Sequence, residues 1–520
     1  MNKMRSNLNS PSGFAAWVIL AFNVVIAAGQ STNPPTPTAD NTAEIIKQLQ
    51  QRISDLEEKV KTLQSNQPPA SSTNESSATR RIEELDQKVK EMEHNQELEH
   101  EATEARAKQA PKITLGERGF AFTSADGANE LRLRGLLQED SRTFFSDSIT
   151  GNDGFYLRRA RPIMEATFYR DFELRFVPDF GGNGGPQIFD AYINYRLRPE
   201  LQFQGGKFKT PVGFEFLQHD ANTLFTERGL PTTMVPGRDN GFALHGDLFD
   251  GAATYAAGIF NGLGDARNSS NASFQDDKEF AGRLFFLPFK STSTRVVQNF
   301  GFGLGGSYQS EQATNTSGLP ATTGGNLGGY TTVGQQQFFA YNPASGVVLA
   351  SGEQWRLAPQ AAWNYGPFSL LGEYVISDQK LTTTATGAPT SRRLENTAWQ
   401  VAAGWVLTGE NATFTDPIEP RHPFSLERGD WGAWQLVARY GELHIDDAAF
   451  PNFSNPASSA KAAYEWTLGL NWWLNRNVRV NASYSHTTFT GGGTGGFTTA
   501  PGNVTRKDED VLLTRVQLSF

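Results

Sequence analysis

Arginines recur at alternate positions in several segments where polar and apolar residues also alternate. Arg132 and Arg134 form one such pair, and Arg159 and Arg161 form another. A guanidinium group stays charged at every physiological pH and can hold a phosphate or a carboxylate through two parallel hydrogen bonds. The chemistry that this pattern indicates is reversible anion binding.

The alternation also predicts which way the side chains point. Strand side chains repeat with a period of two, so the polar and apolar sets lie on opposite faces. Applied to each segment, this rule places ten arginines on the polar, inward face: Arg132, Arg134, Arg159, Arg161, Arg175, Arg283, Arg356, Arg439, Arg479 and Arg515. It places seven carboxylates on the same face: Glu165, Glu173, Asp190, Asp247, Glu279, Glu373 and Glu465. Each arginine therefore either attracts a solute or pairs with a wall carboxylate.

Catalytic, metal and cofactor sites are not predicted. The chain has no cysteine, which excludes thiolate ligands and cysteine nucleophiles, and no Ser-His-Asp or paired-carboxylate arrangement stands out. Gly301 to Gly306 matches G-x-G-x-x-G, but it lies within an alternating strand pattern and opens no helix. The net charge of -9 argues against binding to nucleic acid.

The elements that position the arginines are strands. From Leu131 onward we count sixteen, beginning near Leu131, Phe155, Phe172, Gln187, Leu201, Gly241, Ala252, Lys278, Phe300, Gln354, Phe368, Asn396, Trp431, Ala463, Val478 and Asp510. Aromatic residues bracket an aliphatic middle on the apolar face of the best strands, such as Tyr464 to Trp472. An even number of strands with an apolar outer face predicts a closed antiparallel barrel that spans a membrane.

The connections and the last strand agree with this fold. Tight turns such as Tyr169 to Asp171 alternate with long loops such as Gln312 to Ser351, and only Gly409 to Asp430 is long where a short turn is due. The final strand ends at the terminal aromatic residue, with Val516, Leu518 and Phe520 on its apolar face. Short turns are typical of the periplasmic side of such barrels and long loops of the outside.

The N-terminal region has a different character. An apolar run from Phe14 to Ala28 follows Lys3 and Arg5, which predicts a cleaved signal peptide over residues 1–29. A linker and two heptad seams occupy residues 30–110; the first contains Ile46, Leu49, Ile53, Leu56, Val60 and Leu63, and the second Ile82, Leu85, Val89 and Met92. Seams this short need oligomerisation to be stable, so we expect a coiled-coil extension. A charged surface helix without a partner is the alternative.

Several stretches resemble the phosphate-selective porin O/P family. They include F-Y-L-R-R-A-R from Phe155, D-A-Y-I-N-Y-R from Asp190, G-K-F-K-T-P-V-G-F-E from Gly206, F-T-E-R-G-L-P from Phe225, P-G-R-D-N-G from Pro236, and the closing L-T-R-V-Q-L-S-F. The resemblance covers about residues 110–520. It implies a 16-stranded outer-membrane barrel, a homotrimer, and passage of small anions without a cofactor.

The third long loop, about residues 209–240, is the segment that folds inward and narrows the channel in barrels of this kind. Lys207, Lys209, Arg228 and Arg238 carry its positive charge and are further candidates for the anion path; Glu215, Asp220, Glu227 and Asp239 oppose them. Strongly phosphate-selective relatives are expected to line this constriction with lysines, which only the base of the loop offers here. Acidic loop residues facing an arginine wall would instead give a transverse field and a weakly selective pore.

The sequence thus predicts an all-β, 16-stranded antiparallel transmembrane barrel over residues 111–520, with an N-terminal coiled-coil extension. The favoured function is an outer-membrane porin, not an enzyme, that lets small anions such as phosphate diffuse passively. The expected partners are outer-membrane lipid, two further copies of the chain and the small anions themselves. The alternatives are a weakly selective porin and a structural anchor whose periplasmic residues 41–108 contact peptidoglycan.

Overall fold

The computed structural model describes residues 75–520, apart from 118, 146–150, 183, 270–275, 313–326 and 493–505, together with a few separate positions between 51 and 62. The predicted signal peptide and the six residues of the first heptad seam lie outside the described residues. The chain divides into two compact units, residues 1–103 and 104–520.

One long helix, α1 (Glu75–Gln109), precedes the strands and carries the second heptad seam. Ile82, Leu85 and Met92 of this seam are 65%, 61% and 62% exposed, so its apolar stripe has no cover in the described part of the chain. No described helix is long and apolar enough to cross a membrane.

A closed antiparallel barrel of sixteen strands follows a short hairpin. The hairpin consists of β1 (Lys112–Gly116) and β2 (Gly119–Thr123), and β2 pairs with the beginning of β3. The first nine barrel strands are β3 (Glu130–Phe144), β4 (Gly154–Phe168), β5 (Phe172–Asp179), β6 (Gln187–Arg198), β7 (Leu201–Lys209), β8 (Arg238–Leu248), β9 (Ala253–Phe260), β10 (Glu279–Phe286) and β11 (Gly301–Gln312).

A separate small hairpin, β12 (Gly329–Thr331) and β13 (Gln337–Ala340), lies in the loop after β11. The other seven barrel strands are β14 (Val348–Tyr365), β15 (Phe368–Thr383), β16 (Thr390–Val406), β17 (Ala433–His444), β18 (Ala460–Trp473), β19 (Val478–Gly491) and β20 (Glu509–Ser519). All sixteen predicted strands are therefore confirmed, and the hairpin β12–β13 is an element that the sequence analysis did not predict.

The last strand closes the barrel against the first. Val511 to Ser519 of β20 pairs with Phe144 to Leu136 of β3. Val516 is 55% exposed on the outer face, whereas Arg515 and Gln517 are buried inside, as the alternation predicts. β2 continues the pairing along β3 beyond the C-terminus, through Phe120 opposite Leu133.

Short turns and long loops lie at opposite ends of the barrel, which we call the short-turn end and the long-loop end. Turns such as Tyr169 to Asp171 separate strands at the first, and the loop that carries the hairpin β12–β13 lies at the second. Tyr330, Phe338 and Phe339 of this loop are buried in the main apolar cluster inside the barrel. The long-loop end is therefore covered in part by the protein's own loops.

The long turn between β16 and β17, which had no explanation in the sequence, folds into the barrel from the short-turn end. Phe414 is buried in a cluster with Leu224 and Phe225. Its ring meets that of Phe214 edge to face, with 5.8 Å between the ring centroids. The turn therefore packs against the inward-folded loop between β7 and β8, on the side of the short-turn end.

Candidate functional site

Residues 210–237 between β7 and β8 form the constriction loop, which crosses the barrel interior. Most of the loop is buried, and it contains the one-turn helix α2 (Phe214–Leu217) and a 3-10 helix (Leu230–Met234). Its apolar side, including Leu230, Met234 and Val235, packs against the apolar residues of the long-loop end. Apolar burial therefore holds the loop in the barrel.

Polar side chains of β15, β16 and β18 fix the path of the loop. The Phe214 N–H donates to Glu373 Oε1 at 2.6 Å, and Gln400 Nε2 donates to Glu215 Oε2 at 2.8 Å. Asn471 Nδ2 donates to the Leu224 carbonyl at 2.9 Å. The inward face of β15, β16 and β18 thus satisfies loop groups that would otherwise be buried without partners.

Asp220 is the electrostatic centre of the loop. One carboxylate oxygen accepts from Arg228 Nη2 at 2.5 Å, the other contacts Arg161, and Arg159 Nε and Arg238 Nη2 lie 3.7 Å away. Burial alone would raise the pKa of Asp220, but these positive charges outweigh it and hold the pKa well below 3.8. One carboxylate therefore ties four guanidinium groups together.

Glu227 forms a second group of buried ion pairs between the loop and the barrel wall. Arg158 donates to its two oxygens from Nε at 2.6 Å and from Nη2 at 3.1 Å. Arg515 Nη2 lies 3.4 Å from Glu227 Oε1, and Arg515 donates to both oxygens of Asp140, from Nε at 2.6 Å and from Nη2 at 2.7 Å. Burial opposes the charge of Glu227, but Arg158 lowers its pKa below the ordinary value. The loop is thus joined to β3, β4 and β20 through buried ion pairs.

Arg158 is a contact that the sequence analysis missed. Strict alternation would place it on the outer face, next to Arg159 on the inner face. The register of β4 against β3 shifts between Gln138 and Glu139, so that Arg158 is the extra residue of a β-bulge. The bulge turns both arginines inward. The doubled arginine, Arg158-Arg159, is the signal that could have indicated it.

Ten of the fourteen predicted anion-path residues have a carboxylate within ion-pair distance. Five of these residues belong to the ion-pair groups of Asp220 and Glu227 described above: Arg159, Arg161 and Arg228 pair with Asp220, Arg238 with Asp220 and Asp190, and Arg515 with Glu227 and Asp140. The others are Arg132 with Glu130, Arg134 with Glu165, Arg175 with Glu165 and Asp190, Arg356 with Asp265 and Glu279, and Arg439 with Glu465 and Glu215. Most of these arginines are therefore held in ion pairs within the protein.

The other four have no carboxylate partner among the described residues. Lys207 Nζ donates to the Ser269 carbonyl at 2.7 Å, and Lys209 Nζ to the carbonyls of Phe216 and Gln218, each at 2.7 Å. Arg479 Nη1 donates to the Thr223 carbonyl at 2.9 Å. Arg479 Nη2 also lies 3.4 Å from the wall side chain of Gln517. Arg283 differs, because its bond is to a wall side chain and not to a backbone carbonyl, from Nε to Gln360 Oε1 at 2.8 Å.

A cavity of about 460 Å³ separates the constriction loop from the wall formed by β5 to β10. Small inward side chains, among them Ala243, Thr254 and Ala256, leave this volume unfilled. A smaller cavity of about 260 Å³ shares Arg175 and Tyr192 with it and reaches Glu130 near the short-turn end. The two cavities therefore lie next to each other along the side of the barrel formed by β3 to β10.

Positive charge exceeds negative charge around the larger cavity. Its five cationic residues face three carboxylates: Arg161, Arg175, Lys209, Arg238 and Arg283 against Asp190, Asp220 and Asp247. His219 of the loop also lines it, and burial lowers the pKa of that imidazole to about 3, so it adds no charge at neutral pH. The smaller cavity has the opposite balance, with Arg132 and Arg175 against Glu130, Glu165 and Glu173.

The predicted transverse field across the constriction is not the arrangement found at Asp220 and Glu227. These loop carboxylates touch the wall arginines directly, at the distances given above, so no open gap separates the opposite charges. Among the described residues, no group of three or more His, Cys, Asp or Glu could hold a metal ion.

Comparison with known proteins identifies the family. Residues 132–520 match the family described as "Phosphate-selective porin O and P". Porin O of Pseudomonas aeruginosa is 22% identical over 390 residues, which cover 70% of this chain and 84% of that protein. Among solved structures, an anion-selective porin from Comamonas acidovorans is 10% identical, with a TM-score of 0.45, covering 75% of this chain and all of that one. The channel DcaP of Acinetobacter baumannii is 10% identical, with a TM-score of 0.43, covering 77% of this chain and 99% of that one. The chain belongs to the phosphate-selective porin O and P family and is an outer-membrane porin.

Proposed function

We propose that this porin conducts small anions, phosphate among them, through the space between the constriction loop and the β5–β10 wall. The observation that carries the proposal is the excess of cationic side chains around the larger cavity, five against three carboxylates. A narrow space with walls of low dielectric concentrates the effect of such an excess on a passing ion. The family description, phosphate-selective porin, supports the same sign of selectivity.

Arg283 is the residue that we expect to meet the anion. It lies on β10 and has no carboxylate partner among the described residues, and its hydrogen bond to Gln360 is neutral. The rings of Phe285 and Phe214 lie 4.7 and 5.8 Å from its guanidinium carbon, which fixes the side chain without cancelling its charge. An ordered but uncompensated guanidinium attracts anions at a low entropic cost.

The test is the zero-current potential of the purified porin in a planar bilayer with a KCl gradient. Wild-type channels should give the sign of chloride preference, and Arg283→Gln should move the potential toward zero. Arg393→Gln is the matched control, because Arg393 lies on the outer side of β16, where it pairs with Glu353 and Asp378. Cation preference in the wild type, or equal potentials for Arg283→Gln and the control, would contradict the proposal.

A weakly selective porin is the second candidate. The pairing of ten basic residues and the acidic balance of the smaller cavity both favour it. Such a pore would give a zero-current potential near zero in the wild type. The same bilayer experiment therefore separates the two functions.

We propose further that residues 1–29 are a signal peptide and that the segment 30–110 lies in the periplasm and forms a coiled coil in a homotrimer. The exposed seam residues of α1 support this arrangement, because burying an apolar stripe against a partner lowers the free energy of the helix in water.

A structural anchor that reaches peptidoglycan through residues 41–108 is the competing role. Deletion of residues 41–108 should leave channel conductance intact in a porin and detach the envelope in an anchor.

A further inference from the structure

Apolar side chains as well as charges line the larger cavity beside the constriction loop. Six of the apolar lining residues are Leu136, Ile163, Val177, Phe208, Pro211 and Leu217. The first three belong to one apolar cluster on β3, β4 and β5, and the last three lie where β7 runs into the loop. The volume of about 460 Å³ falls in the range of about 300–1,000 Å³ that is typical of sites for organic ligands. An ion of the size of phosphate would leave most of this volume to water.

Arg283 is the cation of this cavity that can hold a solute. The three other arginines of the cavity are paired with carboxylates, and Lys209 donates to two backbone carbonyls. The terminal nitrogens of Arg283 make no hydrogen bond or ion pair with any described residue, since its bond to Gln360 comes from Nε. One guanidinium group holds one carboxylate through two parallel hydrogen bonds, whereas the remaining charged oxygens of a phosphate would need further donors.

Small side chains leave space beside this guanidinium group. Ala256 of β9 lies opposite Arg283 of β10 on one side and opposite His245 of β8 on the other. Ala243, two residues from His245 along β8, lines the same cavity. Since neighbouring strands lie about 4.8 Å apart, β8 and β10 are separated by roughly 10 Å, which is wide enough for a planar ring. The two alanines therefore form an apolar floor next to the one guanidinium group that can hold a solute.

We propose that the solute preferred by this passage is an organic monocarboxylate with an apolar body, for which benzoate is the probe. The carboxylate binds Arg283, and the ring lies over Ala243 and Ala256. Burying the ring removes apolar surface from water, a gain that neither acetate nor phosphate offers. A single ion pair keeps the binding weak enough for release, which conduction requires. The assignment of this solute class depends on the anion path proposed above.

Block of the chloride current tests the class of solute. Benzoate, acetate or inorganic phosphate is added at pH 7 to single wild-type channels that conduct KCl in a planar bilayer. Benzoate should halve the current at a concentration about tenfold lower than acetate or phosphate, because only benzoate buries a ring against the alanines. Half-blocking concentrations that are equal for benzoate and acetate, or lowest for phosphate, would overturn the proposal.

A pair of variants tests where the ring lies. Ala243→Asn places a polar amide on the floor and should raise the half-blocking concentration of benzoate about fivefold, with little change for acetate. Ala388→Asn, the same substitution in an exposed turn at the long-loop end, is the control and should leave both concentrations as in the wild type. An equal effect of Ala243→Asn on benzoate and acetate would contradict the contact between the ring and Ala243.

The zero-current potential of the same channels in a KCl gradient separates the two proposals. Chloride preference without selective block by benzoate would overturn the solute class and leave the anion path in place. Cation preference would overturn the anion path, and the solute class with it.

Discussion

Asp220 contacts guanidinium groups from β4, from β8 and from its own loop. Its lowered pKa means that folding favours the ionised form. The resulting stability is fully present above the ordinary carboxyl pKa of 3.8 and is lost only as the pH falls through the lower value of the folded protein. Acidification from pH 7 to about pH 5 should therefore leave the ion pairs of Asp220 intact.

Asp220→Asn tests that reasoning. The variant should be less stable than the wild type, because four arginines lose their shared counter-charge. The difference in unfolding free energy should stay constant from pH 7 to about pH 5 and shrink only in stronger acid. Urea unfolding in detergent micelles, followed by tryptophan fluorescence, gives this difference at each pH. A difference that stays constant in acid well below pH 3.8 would show that the pKa of Asp220 is not lowered.

Arg158→Ala tests the contact that alternation missed. Removing Arg158 leaves Glu227 buried with only the longer contact to Arg515, so the unfolding free energy should fall by about 1–3 kcal/mol. Arg393→Ala is the control, since that arginine is 42% exposed and its pairs should contribute less than about 1 kcal/mol. Equal losses in the two variants would mean that the bulge does not direct Arg158 to the loop.

The sequence predicted which arginines face inward but not which of them are paired. The alternation of inward and outward positions, or parity, depends only on neighbours along the strand, and Arg159 and Arg161 follow it. Pairing depends on long-range contacts, as between Arg515 and Glu227, which are 288 residues apart in the chain. A bulge such as that at Arg158 shifts the parity by one residue and leaves only a weak sequence signal.

At the scale of elements, Gly305 shows why the glycine-rich stretch of β11 is present. A Cβ added to Gly305 would lie 2.0 Å from the Val212 carbonyl oxygen, so the constriction loop rests directly on this glycine. Backbone atoms cannot move aside as a flexible side chain can. Gly305 is not one of the three glycines that the G-x-G-x-x-G pattern requires, and its presence in the stretch Gly301 to Gly306 reflects the close approach of loop and wall.

Gly305→Ala should push the loop away from β11 and destabilise the protein by about 1–3 kcal/mol. Gly372→Ala on β15 is the matched control, because a Cβ there would meet no atom within 4 Å. The same unfolding measurement compares the two. A smaller loss for Gly305→Ala than for Gly372→Ala would contradict the close contact between loop and wall.

Strand prediction succeeded because alternation is enforced wherever one face meets lipid and the other meets the interior. Its errors lie at strand ends: β14 and β16 begin at Val348 and Thr390, six residues before the predicted Gln354 and Asn396. Those extensions lie at the long-loop end, where both faces can be polar. The hairpin β12–β13 and the inward turn around Phe414 are stabilised by contacts inside the barrel, which no local pattern records.

For the whole molecule, the sequence was sufficient for the closed barrel, the strand count and the family, because each follows from repeated local patterns. The position of the free space was not predictable. It depends on how a loop of nearly thirty residues fills the interior next to β14–β20 and leaves the β5–β10 side open.

The measurement that tests this account most directly is single-channel conductance of Ala256→Cys before and after reaction with a negatively charged thiosulfonate. Ala256 lines the larger cavity and the chain has no other cysteine, so only the proposed passage is modified. Thr386→Cys, in an exposed turn at the long-loop end, is the control. We predict that modification sharply lowers conductance and anion preference in Ala256→Cys and changes neither in the control. Unchanged conductance in fully modified Ala256→Cys would show that ions do not pass between the constriction loop and the β5–β10 wall.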